Sequence, residues 1–418
     1  MFRPSFQPSA QQRAVGRNLT MDVIVAVGIG ITVALVTTLL PTIARRGGLE
    51  PIGLAALGAA PFIANLLSAF AGRVGPRTPG QLGLLRGVGA AALIAFAFEP
   101  PPALMITLAT AFWISLSFGS PYYLRLWGGM YPSRLLGRLL GVVGMARAAA
   151  GALAAIAGGL LADRLGGPTA VAIAGAVGVV CAAAYVGLRA RTAVEQQGFT
   201  ARQSIAALRE RPVLARVALA QGFYGGGVIA AIPLFALVHV DRLDLTLSDV
   251  GVIGVLTAVA TMIAFLVWGA VSDRFGPLVA MRIGGAIGSF AIVAYALAPD
   301  VAVLWVAALA MGIGGASIDV GIASVVSEQT TLASRAAAMA GWNAITGARG
   351  IVAAFVMSIL VQLGVVDVTV GLLLCAMASI FGVLLFVRTD VASPAEAPAP
   401  LLAHAHAHGP RRATASAP

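Results

Sequence analysis

Four charged residues lie inside or beside long apolar runs, and their types could do chemistry there. They are Asp22, Arg147, Asp319 and Arg349. A charge at the centre of a lipid bilayer costs about 2.5–3.5 kcal/mol on insertion scales, so each such group needs a partner or a function. A carboxylate can bind and release a proton, and a guanidinium can hold an anionic or polar group.

Helical rise predicts different depths for these four charges. At about 1.5 Å per residue, Asp22 is predicted to be interfacial, whereas Arg147 and Asp319 each lie about 13 Å inside the same membrane face. Arg349 lies deepest, at about 20 Å. It could contact an anionic substrate, or it could extend to the interface or bind the backbone carbonyls of a broken helix.

Further polar and aromatic residues in the apolar runs could line a cavity, although packing or anchoring at the interface is the alternative for each. This set contains Trp113, Ser117, Tyr123, Gln221, Tyr224, Trp342 and Asn343. The run Gly225–Gly227 and Pro121 predict breaks or bends in the helices that carry them. Gly284 and Gly288 form a GxxxG pair, which indicates close helix packing.

The composition identifies the elements that must position these residues. Only 10% of the residues are charged and 59% are hydrophobic, with a mean hydropathy of +0.94. Soluble domains are roughly a quarter charged, so lipid must surround much of this chain. The apolar runs are long enough for helices rather than barrel strands. We predict an all-α membrane protein with twelve spans: Leu19–Ile43, Leu49–Ala71, Gln81–Phe98, Ala103–Tyr123, Leu139–Ala162, Thr169–Leu188, Val213–Val238, Val250–Val271, Leu278–Ala298, Val301–Val326, Ala336–Leu363 and Val368–Val387.

The distribution of arginine predicts the orientation of these spans. If the N-terminus is cytoplasmic, 21 arginines fall on the inner side and four on the outer side. This asymmetry follows the positive-inside rule. The predicted organisation is a cytoplasmic tail (1–18), a six-helix bundle (19–188), a cytoplasmic linker (189–212), a second bundle (213–388) and a disordered tail (389–418). The linker is interpreted as a helix on the membrane surface or as a solvated tether.

An internal repeat relates the two predicted bundles. The segment SAFAGRVGP (68–76) aligns without gaps with GAVSDRFGP (269–277). The second copy resembles the loop signature Gly-x-x-x-Asp-Arg-x-Gly of the major facilitator superfamily. Gly269, Asp273, Arg274 and Gly276 match it, whereas Gly72 replaces the aspartate in the first copy. The loops that contain Tyr131–Gly141 and Ser327–Gly341 also resemble that family, and they place Glu328 and Arg335 at the same gate.

The resemblance implies two pseudo-symmetric six-helix bundles that rock about a central cavity. Gly269 would allow close helix packing and Gly276 a tight turn, while Asp273 would cap a helix of the other half in the outward-facing state. The alternative is that these residues only fix the topology of the loop. The family fold would also bring helix 5 beside helices 8 and 10. Arg147 and Asp319 could then form an ion pair that opens on protonation or substrate binding, or a static pair that only neutralises two charges.

Several other classes of function are disfavoured. The sequence has no nucleotide-binding loop, catalytic constellation or metal cluster, so neither an enzyme nor a cofactor is predicted. The net charge of +11 is explained by topology rather than by nucleic acid. A metal site at His404, His406 and His408 is disfavoured against a disordered tail.

The favoured function is secondary active transport of a small organic molecule across the cytoplasmic membrane by a monomer, as proton-coupled efflux. Asp22, Arg147 and Asp319 are the candidate coupling residues. Uptake or facilitated diffusion of a sugar, metabolite or organic anion is the alternative, and a membrane sensor with the same fold is another. The sequence alone does not identify the substrate, the coupling ion or the direction.

Overall fold

The structure, a computed structural model, describes residues 10–68, 75–190, 206, 208, 212–330 and 332–389. Within these ranges all regular secondary structure is helical. Gly72 and Arg73 of the first loop signature, most of the predicted linker and the tail from residue 390, with its histidines, lie outside the described residues.

Each half contributes six long helices, labelled α1–α6 and α7–α12. In the first half, α1 is one rod made of Ala10–Ala34, a π-helical turn Leu35–Leu39 and Leu40–Arg46. The others are α2 Pro51–Leu67, α3 Pro79–Ile94 with a 3₁₀ turn Ala95–Phe98, α4 Pro102–Met130, α5 Ser133–Leu165 and α6 Gly167–Ala182 with a 3₁₀ turn Ala183–Gly187.

The second half repeats this order. Helix α7 covers Pro212–Leu237 and continues into a π-helical turn Val238–Arg242. It is followed by α8 Leu247–Phe275, α9 Pro277–Leu297, α10 Val301–Gln329, α11 Leu332–Gln362 and α12 Val368–Val387. Eleven of the described helices are long and apolar enough to cross a membrane, and α2 is a shorter apolar helix.

Several helices extend beyond the predicted spans at their polar ends. Helix α1 begins at Ala10 rather than Leu19, α4 ends at Met130 rather than Tyr123, and α5 begins at Ser133 rather than Leu139. Hydropathy marks only the part of a helix that lies in hydrocarbon. Once a helix has formed, each added residue contributes a further backbone hydrogen bond, so it continues into the polar region.

The two halves have the same packing pattern. In the first half α1 packs against α5 and α6, and α3 packs against α4 and α6; in the second half α7 packs against α11 and α12, and α9 against α10 and α12. Helix α2 contacts α4 as α8 contacts α10. Between the halves α2 packs against α11 and α5 against α8, which are equivalent pairs. The predicted duplication into two pseudo-symmetric bundles is therefore confirmed.

The contacts of α5 with α8, which join the two halves, lie toward one membrane face. On α5, Ala155 contacts Gly251 and Gly254 of α8, and near the end of the helix Gly159 contacts Leu247. On α11, Gly347 and Gly350 pack against α2. Small residues allow these close approaches. We call this the closed face; it carries the α1–α2 and α7–α8 loops. The opposite side, with both described chain ends, is the open face.

Candidate functional site

A carboxylate of one half caps a helix of the other at the closed face. Asp163, near the end of α5, accepts hydrogen bonds from the backbone N–H groups of Leu247 and Ser248, each at 2.9 Å, and from the Ser248 hydroxyl. These donors begin α8, where the helix dipole favours a negative charge. The cap therefore joins the two halves electrostatically.

Polar contacts between α1 and the end of α7 complete the seal. The Arg45 guanidinium forms an ion pair with Asp241 at 2.9 Å. Beneath it, buried His239 lies between the hydroxyl of Thr42 at 3.1 Å and that of Tyr295 at 3.3 Å. The ring nitrogens of one histidine thus link α1 of the first half to α9 of the second.

Asp22 lies in a cage of aromatic donors. Its side chain is 0% exposed. Its oxygens accept hydrogen bonds from the Tyr123 hydroxyl, from Trp127 Nε1 at 3.0 Å and from the Tyr131 hydroxyl at 2.9 Å. Distance along α1 predicts the depth of this residue, but it does not show that a neighbouring helix buries the side chain. Here α4 extends beyond its apolar run and covers the carboxylate.

Arg147 and Asp319 are not paired in this conformation. Both side chains are exposed, and the one ion pair among the described residues joins Arg45 to Asp241. The two residues do share a depth, since Arg147 is 18 residues before Leu165 and Asp319 is 18 residues after Val301. At about 27 Å from the closed face, both lie beyond the contacts between the halves. The predicted pair could form only if the open face closed.

Arg349 binds a backbone carbonyl of an unbroken helix. Its Nη1 donates to the carbonyl oxygen of Gln221 in α7. A Cβ at Gly225 would lie 2.9 Å from Arg349 Nη2, so this glycine makes room for the guanidinium. The predicted helix break at Gly225–Gly227 is wrong, because α7 is continuous through it. Helix α4 is likewise continuous through Pro121.

The other predicted cavity residues are divided between packing and exposed positions. Tyr224 and Trp342 belong to one buried cluster of the second half. A Cβ at Gly288 would lie 2.4 Å from the Tyr224 hydroxyl, so this ring fills the groove of the GxxxG pair. Trp113 packs edge-to-face on Phe112. Ser117 is buried, with its hydroxyl 3.1 Å from Asn65 of α2, whereas Asn343 is exposed.

The loop signature lies at the open face, where its charged residues contact no described residue of the other half in the bonds that the structure shows. Asp273 and Arg274 are exposed, and the guanidinium of Arg274 lies 5.2 Å from the ring centroid of its neighbour Phe275. Gly276 has φ +88° and makes the predicted turn from α8 to α9. A Cβ at Gly269 would meet no described atom within 4 Å, so the close packing predicted for this glycine is not seen among the described residues.

The two remaining residues of the predicted gate, Glu328 and Arg335, lie where α10 ends and α11 begins, within the second half. Arg335 Nη2 donates to the carbonyl oxygen of Ser327 at 2.9 Å, which fastens the start of α11 to the end of α10. Glu328 is exposed and has no ion pair with Arg335 in the part of the chain that the structure describes.

Sequence reasoning missed three positions. They are Asp163, which caps α8, Arg86, which is 7% exposed, and His239. His239 had one usable signal, since it is the single histidine outside the tail. None of their partners could be found from spacing along the chain.

Comparison with known proteins gives the family. The sequence matches the Major Facilitator Superfamily over residues 23–306 and 217–415. The chain belongs to this superfamily. No curated protein matches it.

Solved structures share the fold at low sequence identity. An aspartate-to-alanine mutant of the nucleoside transporter NupG has a TM-score of 0.74 and 14% identity over 90% of this chain and all of that chain. The POT family transporter PepTSo has 0.71 and 11% over 90% and 97%. A bacterial homologue of the iron transporter ferroportin, in an inward-facing state, has 0.69 and 14% over 91% and 99%. The protein is therefore a multi-pass membrane transporter of the superfamily.

Proposed function

We propose that the protein exports small organic molecules in exchange for protons, by alternating access, as a monomer in the cytoplasmic membrane. The observation that carries this proposal is the position of Asp319. It is an exposed carboxylate in the membrane-spanning part of α10, and it forms no ion pair among the described residues. A carboxylate reachable by water at bilayer depth can bind a proton on one side and release it on the other.

The excess of arginine on one side supports an orientation with both termini in the cytoplasm. In that orientation the open face is cytoplasmic, and this conformation is inward-facing. The exposed motif residues Asp273 and Arg274 agree with an unlatched cytoplasmic gate.

Arg147 would take part in the coupling step in the other conformation. It lies at the depth of Asp319 on the opposite half. Closure of the open face would bring the two charges together and displace the proton from Asp319, since an adjacent guanidinium favours the ionised carboxylate. Proton release would then be tied to the conformational change.

Transport in proteoliposomes with and without a pH gradient tests the proposal. Wild-type protein should show substrate flux driven by the gradient, and Asp319→Asn should lose that dependence while still binding substrate. Glu99→Gln, which neutralises an exposed carboxyl in the α3–α4 loop, serves as the control and should transport normally. Undiminished proton coupling in Asp319→Asn would overturn the assignment. A protein that moves no compound at all would favour the sensor.

Uptake or facilitated diffusion of an organic anion is a second candidate, favoured by Arg349. Its Nε has no hydrogen-bond partner among the described residues, although Nη1 binds α7. A guanidinium with a free donor suits a carboxylate or phosphate group. If this candidate is correct, Arg349→Gln should weaken binding of anionic compounds and leave neutral ones unaffected.

A further inference from the structure

Arg86 is a buried cation whose donors are largely unused. It lies in α3 and is 7% exposed. Its Nη2 donates to the Ser120 hydroxyl at 3.3 Å, but Nε and Nη1 have no hydrogen-bond partner in the described part of the chain. A buried guanidinium without acceptors is costly, because the water it lost is not replaced.

The second half shows how such an arginine is normally satisfied. Arg282, near the start of α9, donates to the carbonyl oxygens of Phe386 at 3.0 Å and Thr389 at 2.8 Å, at the end of α12. In the first half the equivalent helix end is already bound, since the Asn18 side chain donates to the carbonyl of Arg189 and accepts from its N–H. Arg86 therefore lacks the acceptors that Arg282 has.

Arg86 lines a small cavity between α1, α3, α4 and α6. The cavity has a volume of about 20 Å³ and is lined by the polar residues Arg86, Tyr185, Ser115 and Thr32 together with apolar side chains. Tyr185 is 1% exposed, and its hydroxyl also lacks a described partner. A cavity of this size holds one water molecule or one monatomic ion.

The charges around this cavity favour a negative occupant. No acid is among the residues that line it, and the oxygens of Asp22 are already bound by three donors of the aromatic cage. Arg86 and Tyr185 both line the cavity, and their groups without a described partner are Nε and Nη1 of the guanidinium and the tyrosine hydroxyl. All of these groups are able to donate.

We propose that this cavity binds one small monovalent anion, such as a halide, between Arg86 and Tyr185. The anion would neutralise the buried guanidinium and accept hydrogen bonds from both residues. The site lies within the first half, behind α1 and α4, so it is separate from the transport pathway between the halves. It does not depend on the substrate or on the coupling ion.

Thermal unfolding of the purified full-length protein tests the site. Melting temperatures are measured in sodium chloride, sodium bromide and sodium gluconate at equal ionic strength. A halide that binds only the folded protein should raise the Tm along a saturation curve, whereas gluconate is too large for the cavity. Arg86→Gln should weaken the apparent halide affinity by about tenfold or more. Arg282→Gln is the matched control and should keep the halide response.

Two further measurements guard against a variant that fails to fold. Tyr185→Phe removes one donor and keeps the buried ring, so it should fold and bind halide more weakly than wild type. A crystal grown in bromide should give an anomalous peak beside Arg86 Nε. Equal Tm values in chloride and gluconate, or an unchanged halide response in Arg86→Gln, would show that the cavity holds only water and would overturn the proposal.

Discussion

At the scale of single residues, Asp22 shows how a carboxylate is held inside a helix bundle. Two donors of α4 and Tyr131, the residue that follows this helix, surround it, and its side chain is inaccessible to solvent. The same sequence signal, an acid inside an apolar run, also selected Asp319 on α10. The side chain of Asp319 is exposed. Two acids of one type therefore have opposite surroundings: Asp22 is bound by three donors, and Asp319 is exposed.

Removal of one donor from the aromatic cage should destabilise the fold. We expect Tyr131→Phe to lower the free energy of unfolding by about 1–3 kcal/mol, because it leaves a buried carboxylate with one donor fewer. Tyr122→Phe is the control: this tyrosine is also buried, but the described residues give its hydroxyl no hydrogen bond. Melting in detergent is the measurement, and equal Tm losses in the two variants would contradict a specific role for the cage.

At the scale of elements, three consecutive glycines in α7 have different environments. A Cβ at Gly225 would crowd the Arg349 guanidinium. One at Gly226 would meet no described atom within 4 Å, and one at Gly227 would lie 2.3 Å from the carbonyl oxygen of Cys375 in α12. The run is therefore a packing surface on two sides of a continuous helix.

Alanine substitutions at these glycines should differ in their effect on stability. Gly227→Ala should cost about 1–3 kcal/mol of stability, because α12 backbone must move to admit the methyl group. Gly226→Ala should be neutral or stabilising by up to about 1 kcal/mol, since it adds helix propensity without a clash. The measurement is the Tm of each variant. If Gly226→Ala lowered the Tm as much as Gly227→Ala, close packing at Gly227 would not explain the loss.

The sequence predicted elements better than it predicted their contacts. Apolar runs and the repeat were sufficient for the twelve-helix, two-bundle fold, because lipid demands long helices with satisfied backbones. The same requirement explains why the break at Gly225–Gly227 was wrong: an open backbone in the bilayer is costlier than a weak helix former. The cap from Asp163 and the seal at His239 were missed because both join helices of different halves.

At the scale of the whole molecule, the conformation is set by where the halves touch. Helix α8 contacts the first half near Gly254, where a Cβ would lie 2.6 Å from Thr38 Cγ2, and is free at Gly269. Whether Arg147 meets Asp319 also depends on this arrangement. A sequence encodes both conformations of a transporter, so spacing alone could not show which contacts exist in one of them.

A bulky residue at the two ends of α8 should have opposite effects. Gly254→Trp should push the halves apart at the closed face, and Gly269→Trp should hold them apart at the open face. The reporter is Ala323→Cys, an exposed position on the Asp319 side of α10, in a background with Cys181→Ala and Cys375→Ala. Labelling by a water-soluble thiol reagent should slow about tenfold or more in Gly254→Trp.

Labelling should stay rapid in Gly269→Trp, which provides the control on the same helix. Equal labelling rates in the two tryptophan variants would contradict rocking about the closed face.

The seal at the closed face also has an electrical consequence. Water in the opening between the halves conducts ions. A membrane potential therefore falls mainly across the seal at the closed face rather than across the full bilayer. A charge that crosses this seal meets nearly the whole voltage, about 2.3 kcal/mol per elementary charge per 100 mV. For a charged cargo, we therefore expect voltage to act on the step that parts Arg45 from Asp241.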